Sequence, residues 1–319
     1  MRIEKLYILI VLIVFGCNQN TQENLNIEPS YVDYKSDWEE RNLFNKVKSL
    51  REYKANLKNN GETDDINPFM TTEFTSFGSV NKLEYYDSFG KSIQTDEFLY
   101  DDNENLIKSV SVNIPSDQII IQKIVNDTVQ NIVKQYVTLN DSLYFNYLTF
   151  SDEEDYIIKR MEIKSNDTTV VHHDYQFNEL NKLISETQFG ENADIPVVEN
   201  TFRYDKNGNL IESSQKTKWS EIITETEWKN GRILMKTKYI ISPDIEKHIE
   251  NIIKYDSLYN PITVKTYDES KLNRESKNIY EFDKKGNWIK KTVYIREHFR
   301  ESDKFIPIHV ETREIEYWN

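Results

Sequence analysis

The stretch Tyr204-Asp205-Lys206-Asn207-Gly208-Asn209-Leu210-Ile211 decides the fold, because it returns along the chain in the same frame. Residues 282–289 match it, with an aromatic residue first, Asp second and Gly fifth, and residues 86–93 are a third copy. Degenerate copies stand at residues 100–107, 177–184, 228–233 and 255–262. From residue 177 onward the aromatic anchors are 27, 24, 27 and 27 residues apart, so the chain is built from repeats.

Each copy predicts a β-hairpin. The aromatic residue ends one strand, and the Asp carboxylate accepts backbone N–H groups in an Asx-turn. Gly then takes the positive φ of a type I turn that closes with a G1 bulge. The chain has only eight glycines, and four occupy this position. The predicted structural turn residues are Asp87, Gly90, Asp205, Gly208, Gly231, Asp256, Asp283 and Gly286.

The flanks of the copies agree with this interpretation. Residues 224–228 and 310–317 mix β-formers with charges in alternation, which is typical of strands. Between Tyr100 and Phe177 the motif fades, but turn-like residues still predict about five strands there. We therefore predict a mainly β protein, an antiparallel β-meander of repeated hairpins forming a curved, twisted sheet over residues 36–319, with at most one short N-terminal helix.

The start of this body is ambiguous. Ser36-Asp37-Trp38-Glu39 has the pattern of a capping box and predicts a helix through Phe44. Residues 46–55 then fit either more helix, by the spacing of their apolar side chains, or a first strand. We expect a short helix followed by a strand, because the repeat-bearing body needs an opening edge.

The first sixteen residues are typical of a secretory signal peptide. Arg2 and Lys5 supply a basic region, and Leu6–Phe15 is an unbroken apolar run of ten residues. A membrane-spanning helix needs about 20 such residues. We therefore assign residues 1–16 to a signal peptide.

Gly16 directly precedes Cys17, the single cysteine of the chain, and this junction resembles a bacterial lipobox, although Val14 and Phe15 depart from the commonest pattern. The resemblance implies cleavage before Cys17 and lipidation of that residue, so that acyl chains would attach the protein to a membrane. An ordinary secreted protein is the alternative. The polar residues 17–35 would form a flexible tether. We expect the cell envelope, with the outer membrane favoured over the inner and the side left open.

The repeated octets resemble YD (Rhs-type) repeats over roughly Lys82 to Tyr294, with a gap in the middle. Large members of that family build hollow β-shells around toxic domains. This chain is too short for such a shell and has no Asp-Pro-x-Gly autoproteolysis motif. It is closer to small YD-repeat lipoproteins, a resemblance that implies a fold but no particular activity.

Composition and motifs exclude several functions. The chain has 40 Lys plus Arg against 54 Asp plus Glu, a net charge of −14, which disfavours nucleic-acid binding. One cysteine excludes a disulfide framework and a Cys-based zinc site. The neighbours His172 and His173 should point to opposite faces of a strand, and we interpret them as a surface pair. We expect no catalytic residue, no metal and no cofactor.

A calcium loop is a weaker alternative for the octets at residues 100–107 and 204–211. In the first, Asp101, Asn103 and Asn105 have the oxygen spacing, but Leu106 and Val112 stand where an EF-hand loop needs Gly and Glu. Asp205, Asn207 and Asn209 have the oxygen spacing of half an EF-hand, but Leu210 stands where that loop needs Gly and Lys216 where it needs Glu. The turn explains the same residues without a metal. The acidic residues 152–155 are interpreted as a solvated loop rather than a metal site.

The many aromatic residues allow a sugar-binding face or cross-strand pairs within the sheet, and we favour the pairs. The tryptophans whose exposure decides between these are Trp219, Trp228, Trp288 and Trp318. The function we expect is a non-enzymatic envelope lipoprotein that offers a β surface to a protein or glycan partner. The alternatives are a hydrolase of envelope glycans, and an accessory or relic of a polymorphic toxin system.

Overall fold

The computed structural model describes residues 36–58, 62–127, 130, 132–151, 157–164, 167–190, 195–243, 245–298 and 304–319. The predicted signal peptide and tether (residues 1–35) and the acidic residues 152–155 lie outside the described residues. The described chain forms one helix, α1 (Asp37–Glu40), and twenty strands. The strands are β1 (Val47–Asn56), β2 (Asn67–Phe74), β3 (Val80–Tyr86), β4 (Ser92–Tyr100), β5 (Leu106–Asn113), β6 (Gln118–Asp127), β7 (Ile132–Leu139), β8 (Ser142–Ser151), β9 (Ile157–Lys164), β10 (Asp167–Phe177), β11 (Leu183–Phe189), β12 (Pro196–Tyr204), β13 (Leu210–Thr217), β14 (Glu221–Lys229), β15 (Arg232–Ser242), β16 (Ile245–Tyr255), β17 (Pro261–Asp268), β18 (Lys271–Phe282), β19 (Trp288–Glu297) and β20 (Ile306–Tyr317).

Each strand pairs antiparallel with the next, so the predicted antiparallel meander of hairpins is confirmed. The sheet also closes on itself, because β1 pairs antiparallel with β20 in a ladder that runs from Val47 opposite Tyr317 to Asn56 opposite His309. The expectation that the first strand forms an opening edge is therefore wrong. Closure gives β1 a partner on both sides and leaves no row of unpaired backbone groups there.

Alternating strand direction separates two ends of the closed sheet. We call the end where Ser36 leads into β1 the proximal end, and the opposite end the distal end. One repeat of about 27 residues spans two strands, so the octets that begin at residues 177, 204, 228, 255 and 282 all turn at the proximal end. The octet at residues 86–93 turns at the distal end, between β3 and β4.

Two sequence boundaries differ from the structure. The faded stretch between Tyr100 and Phe177 forms six strands, β5 to β10, rather than about five. Helix α1 ends at Glu40 rather than Phe44, because Asn42 and Asn45 adopt φ values of +53° and +66°, outside the right-handed helix. The strand expected after the helix is present as β1.

Side chains of one face, the inner face, are buried along the first strands, where Leu50 of β1, Thr72 of β2 and Leu83 of β3 are successive cross-strand neighbours. A hydrophobic cluster forms there from Leu43, Val47, Leu50, Phe74, Val80 and Leu83. Their strand neighbours on the other face, such as Arg51 and Glu73, are exposed, as alternation requires. Within the described part of the chain, no helix is long and apolar enough to cross a bilayer.

Candidate functional site

The repeat turns have a common geometry, shown best by residues 205–209. The Oδ1 atom of Asp205 accepts backbone hydrogen bonds from Asn207 at 2.8 Å and from Asn209 at 2.9 Å, and Gly208 N donates to Asp205 O at 3.0 Å. In the other turns, one Oδ1 atom likewise accepts from two backbone N–H groups, at Asp87, Asp101, Asp256 and Asp283. The fifth position has φ of +76° at Gly90, +81° at Gly208, +90° at Gly286 and +62° at Tyr259.

Gly231 lies in a different turn. Asn230 and Gly231 have φ values of +53° and +71° and form a two-residue connection, with Lys229 paired to Arg232 across it. Two consecutive positive φ values mark a type I′ turn, which needs no bulge at that position. The sequence interpretation placed this glycine in the same position as the other three, and that is wrong because the connection is shorter.

Four aromatic residues near the proximal end act as hydrogen-bond donors between neighbouring strands. Each stands at the end of one strand and donates to the carbonyl of the first residue of the preceding strand. The pairs are Tyr204 Oη to Leu183 O (3.0 Å), Trp228 Nε1 to Leu210 O (2.7 Å), Tyr280 Oη to Pro261 O (2.9 Å) and Tyr100 Oη to Val80 O (2.6 Å). These bonds satisfy backbone carbonyls beside the turns, so the hydroxyl and indole N–H groups of these rings have hydrogen-bond partners within the sheet.

The four tryptophans singled out by the sequence have different environments. Trp228 donates across the sheet as above, and Trp288 lies half-buried beneath the Arg313 guanidinium, 3.5 Å from its ring centroid. Trp219 is 71% exposed in the turn after β13, and Trp318 is 37% exposed at the proximal end. The four side chains do not form one aromatic face.

The oxygens of the calcium-like octet at residues 204–211 are occupied by its own turn. Besides the two backbone bonds to Oδ1, the Asn209 side-chain amide donates to Asp205 Oδ2 at 2.9 Å. These hydrogen bonds, the Asn209 side chain foremost, lower the pKa of Asp205. Among the described residues, no group of three His, Cys, Asp or Glu side chains is placed to hold a metal ion.

The segment of residues 36–46, which we call the strap, docks onto two repeat turns at the proximal end. The Asn287 side chain is 1% exposed, and its Oδ1 accepts from Phe44 N at 2.7 Å while its Nδ2 donates to Phe44 O at 2.8 Å. Asn42 Nδ2 donates to Asn260 Oδ1 at 3.2 Å in the neighbouring turn. A repeat amide thus pairs with the strap backbone as a neighbouring strand would.

The strap also reaches the turn between β2 and β3. Asp37 Oδ2 accepts from Val80 N at 2.5 Å. The Trp38 ring lies against Gly78, whose φ is +100° and where an added Cβ would stand 2.7 Å from the ring. The strap therefore bridges turns on both sides of the seam between β1 and β20.

A buried ion pair crosses that seam on the inner face. Glu52 of β1 lies opposite Arg313 of β20, and its Oε1 accepts from Arg313 Nε at 3.0 Å and lies 2.9 Å from Arg313 Nη2. Burial lowers the pKa of Arg313 even though Glu52 opposes the shift. Since the partners are 261 positions apart, this pair links the first strand to the last.

Glu311 extends the charged cluster along β20. It accepts from Lys291 Nζ at 3.0 Å and lies 2.9 Å from His309 Nε2. Burial alone would raise the pKa of Glu311, but the His309 hydrogen bond and the Lys291 charge outweigh it and lower that pKa to about 2. A general acid must be protonated at working pH, so Glu311 is poorly suited to that role.

A second polar network lies on the inner face of β10 to β13. His173 Nδ1 is 3.0 Å from Glu186 Oε1, and Glu186 also accepts from Gln188 at 3.1 Å and from Asn200 at 3.0 Å. Gln215 Nε2 donates to Asn200 Oδ1 at 3.3 Å. Burial would raise the pKa of Glu186, but these hydrogen bonds, led by His173, lower it.

Because the Glu186 carboxylate is an acceptor, His173 donates to it through Nδ1, and the other ring nitrogen is Nε2. That Nε2 is buried and contacts no hydrogen-bond partner among the described residues. His173 is 8% exposed, so the expectation of a surface histidine pair is wrong for this member. The sequence contained no signal for either network beyond the alternation of the strands, because their members come from separate strands.

The comparisons with known proteins are weak. No protein-family model matches the sequence, and no curated protein matches it. A porin-like protein from Bacteroides uniformis aligns with 85% of this chain and 98% of its own, at 12% identity and a TM-score of 0.35.

Two further crystal structures align over most of this chain but a small part of theirs. TcdB2-TccC3-TEV aligns with 76% of this chain and 16% of its own, at 13% identity and a TM-score of 0.24. TcdB2-TccC3-Cdc42 aligns with 80% and 19%, at 11% identity and a TM-score of 0.22. Likeness at these levels carries no inference about what this chain does.

Proposed function

We propose that this protein is a bacterial envelope lipoprotein, anchored through Cys17, whose closed YD-repeat-like β body serves as a non-enzymatic binding or structural element. The observation that carries the proposal is the apolar run Leu6–Phe15 followed by Gly16 and the single cysteine. The outer membrane is the favoured site. The partner is a protein or a glycan.

The chemistry of the inner face supports a non-enzymatic body. Glu52 and Glu311 are both neutralised by neighbouring cations, Arg313 and Lys291. Glu186 is engaged by three side-chain donors, and the free Nε2 of His173 is buried. Charges that are paired and hydrogen-bonded in this way stabilise a structure, whereas hydrolysis of a glycan needs a protonated carboxyl group beside a second carboxylate.

Palmitate labelling in a bacterial host tests the anchor. Cells making the wild-type protein should incorporate radioactive palmitate into it, and cells making the Cys17→Ser variant should not. Protease treatment of intact cells then reports the side, because an exposed body is digested. Label that persists in the Cys17→Ser variant would contradict the assignment of Cys17.

The non-enzymatic proposal is tested separately. The purified protein should release no reducing ends or soluble fragments from peptidoglycan or other envelope glycans, while binding assays with the same polymers report any affinity. Steady release of fragments that stops in a His173→Gln or Glu52→Gln variant would support the hydrolase alternative instead.

A further inference from the structure

We infer that a basic patch at the proximal end docks onto the anionic headgroups of a phospholipid surface. The basic patch consists of exposed side chains that surround the β1–β20 seam. Its members are Lys46, Lys48, Lys284, Lys285 and Trp318. The inference rests on the proposed lipid anchor, which would hold this end of the body near a bilayer.

The members of the basic patch are held together by direct contacts. Asn45 Nδ2 donates to Lys285 O at 3.0 Å, which fixes the β18–β19 turn beside the strap. Trp318 N donates to Lys46 O at 2.9 Å, and Lys48 Nζ lies 5.8 Å from the Trp318 ring centroid. Lys285 Nζ lies 3.5 Å from the Tyr317 ring centroid, so the ammonium groups of Lys48 and Lys285 both stand beside the seam, and Lys46 and Lys284 are their exposed neighbours along the chain.

The charge of the basic patch is opposite to that of the whole chain, whose net charge is −14. Two acidic side chains stand next to the four lysines. Glu316 lies 3.6 Å from Lys48 Nζ, and Asp283 accepts hydrogen bonds from its own turn and from Tyr317 Oη. Asp37 of α1 is turned towards Val80. The four lysines thus outnumber these two acidic side chains around the seam, while Glu39 and Glu40 of α1 lie exposed further along the strap.

A lipid surface fits this composition better than an acidic protein does. Lysines attract anionic headgroups, and tryptophan is favoured at the boundary between headgroups and acyl chains. The described chain begins at Ser36 on this same end, and residues 18–35 reach at most about 60–65 Å from Cys17 when fully extended. The proposed acyl anchor therefore keeps the basic patch within reach of the bilayer.

Vesicle sedimentation tests the inference without the anchor. The probe is the chain beginning at residue 17 with Cys17→Ser, mixed with vesicles of phosphatidylcholine alone or with phosphatidylglycerol added. We expect at least about tenfold stronger partition into the anionic vesicles, lost at about 0.5 M salt because of screening. The double variant Lys284→Glu with Lys285→Glu should weaken that partition by about tenfold or more.

The matched control is Lys216→Glu with Lys218→Glu, two exposed lysines at the distal end of β13 and in its turn. It changes the net charge by the same amount and should leave partition within about twofold. Equal loss in both double variants would show a net-charge effect and overturn the inference. Equal partition into both kinds of vesicle would overturn it as well, and would leave an acidic protein as the remaining occupant.

The two proposals fail in different ways. Palmitate incorporated at Cys17 together with no preference for anionic vesicles overturns only the basic patch. Absence of label in the wild-type protein overturns the anchor, whatever the vesicles show.

Discussion

The repeat-bearing strands β11 to β20 and the middle strands β5 to β10 belong to the same closed sheet, but only the first region carries clear copies of the octet. In the first region, an Asx side chain accepts backbone hydrogen bonds within most of the proximal turns, as at Asp205 and Asp283. At the distal end the two regions share one kind of turn. Asn140 and Asp141 (φ of +48° and +63°) make a two-residue turn between β7 and β8, and Glu269 and Ser270 (φ of +44° and +65°) make one between β17 and β18. The strands pair equally well in both, so the octet specifies turn chemistry and not strand pairing.

The seam adds a second difference. Around β1 and β20 the strap, the hydrophobic cluster and the Glu52–Arg313 pair act together. Among the described side chains of the middle strands, few apolar ones are buried, such as Ile124 and Val137. We therefore expect the seam to carry much of the stability of the closed state. A substitution at the seam should therefore lower the free energy of unfolding more than one at an exposed site, because it removes more buried contacts.

The largest effect is expected at the buried ion pair. Arg313→Leu leaves Glu52 buried without its cation and should lower the free energy of unfolding by about 3–5 kcal/mol, measured by urea titration. Changing both residues to Leu should recover much of the loss. Lys48→Met, which removes the exposed pair with Glu316 on the same two strands, should cost less than about 1 kcal/mol. Similar losses in both single variants would show that the buried pair contributes no more to stability than the exposed pair does.

The next effect depends on pH. The pKa of Glu311 is about 2 in the folded protein and near 4.5 for an ordinary Glu, so its ionisation stabilises the fold above about pH 4.5, and that stability is lost as the pH falls towards 2. The difference is worth up to about 3 kcal/mol. Urea midpoints between pH 2 and 6 should therefore fall less steeply for Glu311→Gln than for the wild type.

Glu316→Gln provides the control for the pH experiment, because Glu316 lies on the same strand with an exposed side chain. Its urea midpoints should keep the wild-type dependence on pH. If the Glu311→Gln profile overlays the wild-type profile, ionisation of Glu311 does not contribute to stability as expected.

Loss of the strap contact should have a smaller effect. Asn287→Ala removes both hydrogen bonds to the Phe44 backbone and should lower stability by about 2–3 kcal/mol. Hydrogen exchange of the Phe44 amide should accelerate together with the change in thermal midpoint. Asn209→Ala, at the same octet position in a turn without a strap contact, should cost about 1 kcal/mol or less; a cost equal to that of Asn287→Ala would show that the strap contributes nothing.

The smallest effect is expected within the turns themselves. Gly208→Val and Gly286→Val place a branched side chain at φ of +81° and +90° and should each cost about 1–2 kcal/mol in thermal or urea unfolding. Asp141→Gly in the middle region relaxes a positive φ at an exposed side chain and should change stability by less than about 0.5 kcal/mol. Unchanged stability in both valine variants would contradict the assigned turn geometry.

The hairpins could be predicted because their information is local. Tyr204, Asp205 and Gly208 stand within five residues, and each has a known conformational preference. Closure of the sheet could not be predicted. The two strands that pair to close it, β1 and β20, are separated by nearly the whole body, and no local sequence pattern marks them as partners. The docking of the strap could not be predicted either. Asn287, which binds the strap, has the same sequence context as Asn209, which does not.

The buried polar networks could not be predicted from local sequence patterns. His173 stands in an ordinary polar run, and its partner Glu186 belongs to the next strand, in a register set by the intervening turn. Gly231 follows its aromatic residue Trp228 by three positions, whereas Gly208 follows Tyr204 by four, and this one missing residue changes the turn type. The proposed acylation of Cys17 concerns residues outside the described chain and stays a prediction.

The pairing of β1 with β20 restricts how this molecule can change in length. In a meander whose neighbours all run in opposite directions, the first and last strands are antiparallel only when their number is even, as it is here at twenty. A single inserted or deleted strand would set them parallel and break the seam register. Evolution can therefore widen or narrow this ring only by whole hairpins, which is the two-strand unit that the repeat supplies.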